Sequence, residues 1–367
     1  MKLKKLLFLL LPLFSLIGCN DDDDWNNSPP VINKQSSGIY ILNEGVYGQN
    51  NSTLDFWNFN TGKYTLSFFT QINPQQAGLG DTGNDIAAYG NRLYIVVNAS
   101  NYVEVINLKT GEHIGKIEGI ANGRNITFHN QYAYITSYAG PMVGTKQLGY
   151  VYRIDTANIK NTEDKVVVGY QPEGLTIANN KLYVANSGGY LTNYDNRVSI
   201  IDLDSFKEIK KIEVATNLSK VKKDKNNVIW ITSLGNYKTI PGSISAIDPS
   251  TDTVIKTINI PVSNFDFYGN ELYYYSVDWS TNQPKSTYGK INIITKEKIS
   301  GSFISEADKN KIESPYGLVI NKENGDIFIG DASNYVNPGK IFWFDKNGNL
   351  KNSQTTGVMP AHFEFLK

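Results

Sequence analysis

One short pattern recurs along this chain and limits what it can fold into. A turn dipeptide leads into an apolar-aromatic strand, then come a variable loop, a second strand ending in Ile-Asp or similar, and a polar turn. The first strand's core falls at Leu93-Tyr94, Ala133-Tyr134, Leu182-Tyr183, Ile229-Trp230, Leu272-Tyr273 and Ile327-Phe328, at spacings of 40, 49, 47, 43 and 55 residues. Its companion appears at Val105-Ile106-Asn107, Arg153-Ile154-Asp155, Ile200-Ile201-Asp202, Ala246-Ile247-Asp248, Ile291-Asn292-Ile293 and Trp343-Phe344-Asp345. A period in the forties with four strands per unit is the signature of propeller blades. Residues 38–60 carry two further strands but lack one before them, and Met359 to Leu366 supply a lone strand. Joined, the ends make a seventh blade, so the expected fold is an all-β, seven-bladed β-propeller closed by pairing of the N- and C-terminal strands. A six-bladed ring and a pair of β-sandwiches are the competing architectures.

Composition agrees with strands and tight turns: 23 Tyr, 31 Gly, and no long stretch with apolar residues at helical spacing. Lys plus Arg equals Asp plus Glu at 35 each, so no net field draws the chain to nucleic acid.

The N-terminus reads as an export signal. Three lysines lie within Met1 to Lys5, and Leu6 to Ile17 is apolar apart from Pro12 and Ser15. About a dozen residues is too short to span a bilayer core, which takes roughly 20. The run ends in Leu16-Ile17-Gly18-Cys19, which resembles a bacterial lipobox, so residues 1–18 are read as a lipoprotein signal peptide and Cys19 as the lipidated residue. Cys19 is the chain's single cysteine, so the body must be stable without disulfides. Residues 19–37, with the acidic run Asp21 to Asp24, read as a tether, and residues 38–367 as the propeller. The acidic run resembles the signal that sends some lipoproteins to the outer leaflet of the outer membrane; it lacks the glycine turn and closing glutamate of a calcium loop.

In a propeller, one face collects turns that here are short and polar, such as Gly90-Asn91, Asn179-Asn180 and Gly269-Asn270. The opposite face collects the loops between second and third strands and the blade-to-blade connections. Each of those loops carries a large ring: Tyr47, Tyr102, Tyr138, Tyr190 with Tyr194, Tyr237, Trp279 and Tyr335. Broad, stiff rings with polar tips suit capture of a large amphipathic ligand or a protein, and packing of each ring on its neighbouring blade is the plain alternative.

Catalytic signals are weak. His113, His129 and His362 lie beside no Ser, Cys or Asp in a triad pattern. Gly78 to Gly83 matches a dinucleotide fingerprint, but a strand rather than a helix is expected after it. The residues therefore argue for no active site, and no metal and no cofactor are expected.

Gly38-Ile39-Tyr40-Ile41-Leu42-Asn43-Glu44-Gly45, Tyr94 to Ser100, and Tyr316 to Ile320 running on to Gly330-Asp331-Ala332 resemble the YncE-like "surface layer" propeller lipoproteins. Within that group the chain is similar to the cobalamin-capturing surface lipoproteins that cap an outer-membrane transporter. The likeness spans the whole mature chain; Asn43-Glu44-Gly45 and Asp331 to Phe363 are distinctive, and the middle blades share only the generic repeat. The resemblance implies a non-enzymatic, lipid-anchored outer-membrane protein that binds cobalamin or another corrinoid, as a carried ligand rather than a cofactor, and passes it to a TonB-dependent transporter. On that basis the eight rings above, with Asn98, Arg124, Asn186 and Asp331 as polar contacts, form the expected site; Arg124 has a second reading, as a link between blades. An envelope or protein-interaction scaffold and a lactonase- or dehydrogenase-type propeller enzyme are the other function classes.

Overall fold

A computed structural model describes residues 36–143, 146–160, 162, 164–278 and 285–367. The signal segment, Cys19 and nearly all of the tether therefore lie outside the described residues, as does Trp279. The body is seven four-stranded antiparallel sheets, each a blade.

Blades 1 to 6 follow one another along the chain, with innermost strands Gly83–Tyr89, Gly123–His129, Pro172–Ala178, Leu218–Lys223, Asn264–Tyr268 and Pro315–Ile320. Blade 7 is composite. Its innermost strand is Pro360–Leu366, followed outward by Gly38–Asn43, Thr53–Asn58 and Tyr64–Thr65. Gly38 pairs with Leu366 and Ile41 with Phe363, so the two ends of the propeller are joined by a full antiparallel ladder. This closure removes the open seam that a ring of sheets would otherwise expose. Two glycines admit the closing strand: a Cβ at Gly330 would stand 2.0 Å from the Pro360 carbonyl oxygen, and one at Gly317 would stand 2.4 Å from the Phe363 ring.

The recurring apolar-aromatic strand is the second strand of each blade, and its unbroken hydrophobicity has a physical reason. Alternate side chains leave opposite faces of a strand, and both faces here are covered by neighbouring blades. Leu93, Ile95 and Val97 pack with Tyr40, Leu42 and Leu54 of blade 7. Tyr94 and Val96 point the other way, onto Ile126, Ala133 and Ile135 of blade 2. Seven such clusters occupy the blade interfaces. Two short helices, Phe68–Ile72 and Glu306–Lys309, sit in connections, and no described helix is long and apolar enough to cross a membrane.

The turns between first and second strands are tight because their residues tolerate positive φ: Gly90, Asn130, Asn179 with Asn180, and Gly269. The seven innermost strands surround an axial cavity of about 230 Å³.

Candidate functional site

Each innermost strand begins at the face carrying the long loops, so its first residues form the mouth of the axial channel there. The strand that elsewhere reads as half-polar is half-polar because one of its faces meets this channel. Asp85, Asn125, Lys220, Lys222, Asn264 and His362 line it, from blades 1, 2, 4, 5 and 7.

The charges at the mouth are cross-linked between blades. Glu44, on the loop after strand Gly38–Asn43, accepts a hydrogen bond from the Tyr316 hydroxyl at 2.6 Å and meets His362 Nε2 at 3.1 Å. Burial raises the Glu44 carboxyl, but His362, Tyr316 and the charge of Lys220 outweigh it and hold it below the ordinary carboxylate range. Asp85 accepts the backbone N–H of Ile126 at 2.9 Å and the Asn125 amide at 3.1 Å, so it ties blade 1 to blade 2. Asp266 does the same between blades 5 and 6, taking the Ile320 N–H at 2.8 Å.

Arg124 builds a second knot. Its Nε donates to Glu173 Oε2 at 3.0 Å, its Nη1 donates to Asn84, and its guanidinium lies 5.0 Å from the Tyr138 ring centre. The Tyr138 hydroxyl in turn donates to Glu173. Burial pushes the Tyr138 hydroxyl well up, Arg124 opposes, and the Glu173 charge adds to the rise. Three blades meet at this guanidinium, which is the linking arrangement read as its alternative role.

Lys220 reaches into the same space. Among the described residues its ammonium makes no ion pair within 4 Å, while Glu44, Asp85 and Glu173 are its charge neighbours. Burial lowers its pKa against the pull of those carboxylates. Lys220 thus acts as an internal counter-ion for acids that are each bonded elsewhere. Among the described residues, no group of three or more His, Cys, Asp or Glu is arranged to hold a metal.

The expected rings divide into two sets. Tyr47, Tyr190 and Tyr237 are 61%, 51% and 66% exposed on the loop face. Tyr190 stands edge-on to Tyr138 at 6.4 Å, which places it over the Arg124 knot. Although half exposed, its hydroxyl is desolvated by the surrounding loops and its pKa rises; Arg124 opposes, and Glu173 and Glu44 add to the rise. Tyr237 has Tyr194 and Tyr190 as electrostatic neighbours, and Tyr194 is half-buried. Tyr335, also half-buried, is edge-on to Tyr316 at 5.8 Å, beside Glu44. Tyr190, Tyr237 and Tyr335 stand at the mouth with Tyr194 beside Tyr237, while Tyr47 is exposed on the loop after strand Gly38–Asn43. Tyr138, by contrast, is buried, and Tyr102 spends its hydroxyl on the Leu79 carbonyl at 2.6 Å.

The expected polar contacts are occupied within the fold. Asn98 donates to Gly123 O at 2.9 Å. Asn186 donates to Arg197 O and Ser199 Oγ and accepts from Gly169 N–H. Asp331 accepts the N–H groups of Glu313, Ser314 and Ser333. All three are buried and fasten loops to strand ends.

Sequence reasoning missed Glu44, Asp85, Glu173, Lys220, Tyr316 and His362 as one group. The innermost strands carry no strong hydrophobic signal, and only their convergence on the axis brings these residues together. Glu44, Tyr316 and His362 fell in segments that carried the resemblance, but nothing in the sequence joined them into one site.

Solved structures share the architecture at low identity. A quinoprotein alcohol dehydrogenase-like protein from Bacteroides thetaiotaomicron is 16% identical with a TM-score of 0.62, over 90% of this chain and 79% of that one. A protein from Bacteroides fragilis proposed to be a 6-phosphogluconolactonase is 12% identical with a TM-score of 0.59, over 90% and 98%. Hydrazine synthase of Kuenenia stuttgartiensis is 14% identical with a TM-score of 0.61, over 76% and 88%. At these identities the likeness is one of fold. No curated protein matches the chain. The model of the DUF5074 family, a domain of unknown function, matches residues 37–269. The chain belongs to the DUF5074 family, and its fold is a seven-bladed β-propeller.

Proposed function

We propose that this protein is a lipid-anchored surface binding protein, tethered through Cys19 to the outer membrane, that captures a ligand on its loop face above the mouth of the axial channel. The observation carrying this reading is the group of Tyr190, Tyr194, Tyr237 and Tyr335 at a charged opening, with Tyr190 and Tyr237 more than half exposed. Exposed aromatic rings on loops are costly unless a partner covers them, and a concave, ring-framed opening with polar groups beneath suits a wide ligand with amide or hydroxyl fringes. The mouth carboxylates Glu44, Asp85 and Glu173 are each held by hydrogen bonds inside the fold, which supports binding over carboxylate acid–base chemistry there.

The resemblance to cobalamin-capturing lipoproteins nominates a corrinoid, and a TonB-dependent transporter is the proposed recipient. Calorimetric titration of the purified protein with cyanocobalamin and other corrinoids tests the ligand. Saturable heat at micromolar concentrations or below is expected; no heat with any corrinoid well above micromolar would remove the corrinoid from this reading. Recovery of a TonB-dependent transporter in a pull-down from detergent-solubilised outer membrane tests the recipient, and its absence from the bound fraction counts against delivery.

A further inference from the structure

Lys220 carries a positive charge into the axial channel and is bonded to nothing there. Strand Leu218–Lys223 brings it to the wall of the cavity of about 230 Å³. The other lysine lining that cavity, Lys222, is paired with Asp266 at 3.4 Å. The Lys220 backbone N–H donates to Thr232 Oγ1 at 3.0 Å, but among the described residues its ammonium has neither an ion pair within 4 Å nor a hydrogen bond. The acids that act on it from a distance are bonded elsewhere. Glu173 is held by Arg124 and Tyr138, Glu44 by Tyr316 and His362, and Asp85 by Ile126 and Asn125.

A desolvated ammonium held short of its carboxylates is one half of an ion pair, and a carboxylate brought within reach gains charge-assisted hydrogen bonds from it. We infer that the axial channel holds a second binding site, beneath the mouth, for a small monocarboxylate whose oxygen atoms take the Lys220 ammonium. The cavity sets the class. Its volume corresponds to roughly eight water-sized atoms, room for a carboxylate on a short body and too little for the wide ligand proposed for the loop face. Ile86, Leu175, Val221 and Leu318 belong to its wall, so a short hydrocarbon body meets apolar neighbours behind the carboxylate. One charge suits the site better than two, because the desolvation cost of an ion rises with the square of its charge while its attraction to a single ammonium rises only in proportion. The inference stands apart from the ligand and the anchor proposed above.

The test takes benzoate as the probe, benzamide as its uncharged analogue and inorganic phosphate as the more highly charged anion. Calorimetric titration of the purified protein is expected to show saturable benzoate binding, with benzamide and phosphate each weaker by about tenfold or more. Lys220→Met is expected to weaken benzoate by a similar factor. No saturable heat with benzoate, equal affinity for benzamide or phosphate, or equal affinity of wild type and Lys220→Met overturns the site. A second measurement needs no variant: reductive methylation of the wild type, read by peptide mass spectrometry. Saturating benzoate is expected to slow modification of Lys220 several-fold and to leave the exposed Lys238 unchanged. Equal modification of Lys220 with and without benzoate overturns the site, and so does an amine that the reagent does not reach even without benzoate. Tyr190→Ala with Tyr237→Ala is expected to bind benzoate as the wild type does; loss of benzoate there would place it on the loop face instead.

Discussion

Arg124→Met is the perturbation whose cost is best defined by the structure. The Arg124 and Glu173 side chains are 17% and 15% exposed, paired at 3.0 Å, with Asn84 and Tyr138 completing the knot. Removing one partner of a buried pair typically costs about 3–5 kcal/mol, because a desolvated charge is left behind. Residual exposure of both groups brings the expectation here to about 2–4 kcal/mol. Adding Glu173→Gln removes the stranded carboxylate while keeping an acceptor for the Tyr138 hydroxyl, so the double variant is expected to recover about 1–3 kcal/mol of that loss. Urea denaturation of the wild type, both single variants and the double variant, followed by tryptophan fluorescence and far-ultraviolet circular dichroism, gives the coupling energy directly. If Arg124→Met costs under about 1 kcal/mol, or the two losses simply add, then the guanidinium does not tie the three blades together and this account of the channel mouth is wrong.

Two further outcomes follow from the closing strand. Glu364 is partly buried on strand Pro360–Leu366, and burial pushes its carboxyl up from 4.5 to about 7. The folded state then keeps a proton that the unfolded chain releases, so stability is lost as pH rises from about 4.5 to about 7 and does not return above it. At about 1.4 kcal/mol per unit this amounts to at most ~3.5 kcal/mol, and partial exposure reduces it to about 1–2 kcal/mol. Urea titrations of Glu364→Gln are expected to show that gain at pH 8 and none near pH 4; equal effects at both values refute the assignment. Phe363 packs against Ile39, Ile41, Trp57 and Phe328 across the junction of blades 6 and 7. Phe363→Ala is expected to cost about 3–5 kcal/mol in the same assay, and a loss under 1 kcal/mol would show that the ring is not closed tightly there.

The repeat was legible because strands buried on both faces must be apolar throughout, and each blade contributes one such strand. Leu93-Tyr94 and its five counterparts mark second strands, and the pairing of the chain ends followed from the missing strand before Gly38. The site was less legible. A ring on a loop gives the same sequence signal whether it faces solvent, like Tyr237, or fills a gap between blades, like Tyr138. Asn98, Asn186 and Asp331 lie at strand ends, where a ligand donor or acceptor and a loop fastener have identical chemistry; Asn98 donates to the Gly123 carbonyl, and Asn186 and Asp331 bond backbone groups and a neighbouring hydroxyl. The channel residues escaped notice because Glu44, Lys220 and His362 are separated by well over a hundred residues and meet only when seven strands converge.

The claim that the tyrosine-framed mouth binds ligand is tested most directly by comparing corrinoid affinity in the wild type, Tyr190→Ala with Tyr237→Ala, and Asn347→Ala on the opposite face. Removing two exposed rings that cover a ligand is expected to weaken binding at least tenfold, about 1.4 kcal/mol, with an unchanged urea midpoint, while Asn347→Ala binds as the wild type does. A double variant that binds corrinoid as tightly as the wild type would contradict the placement of the site.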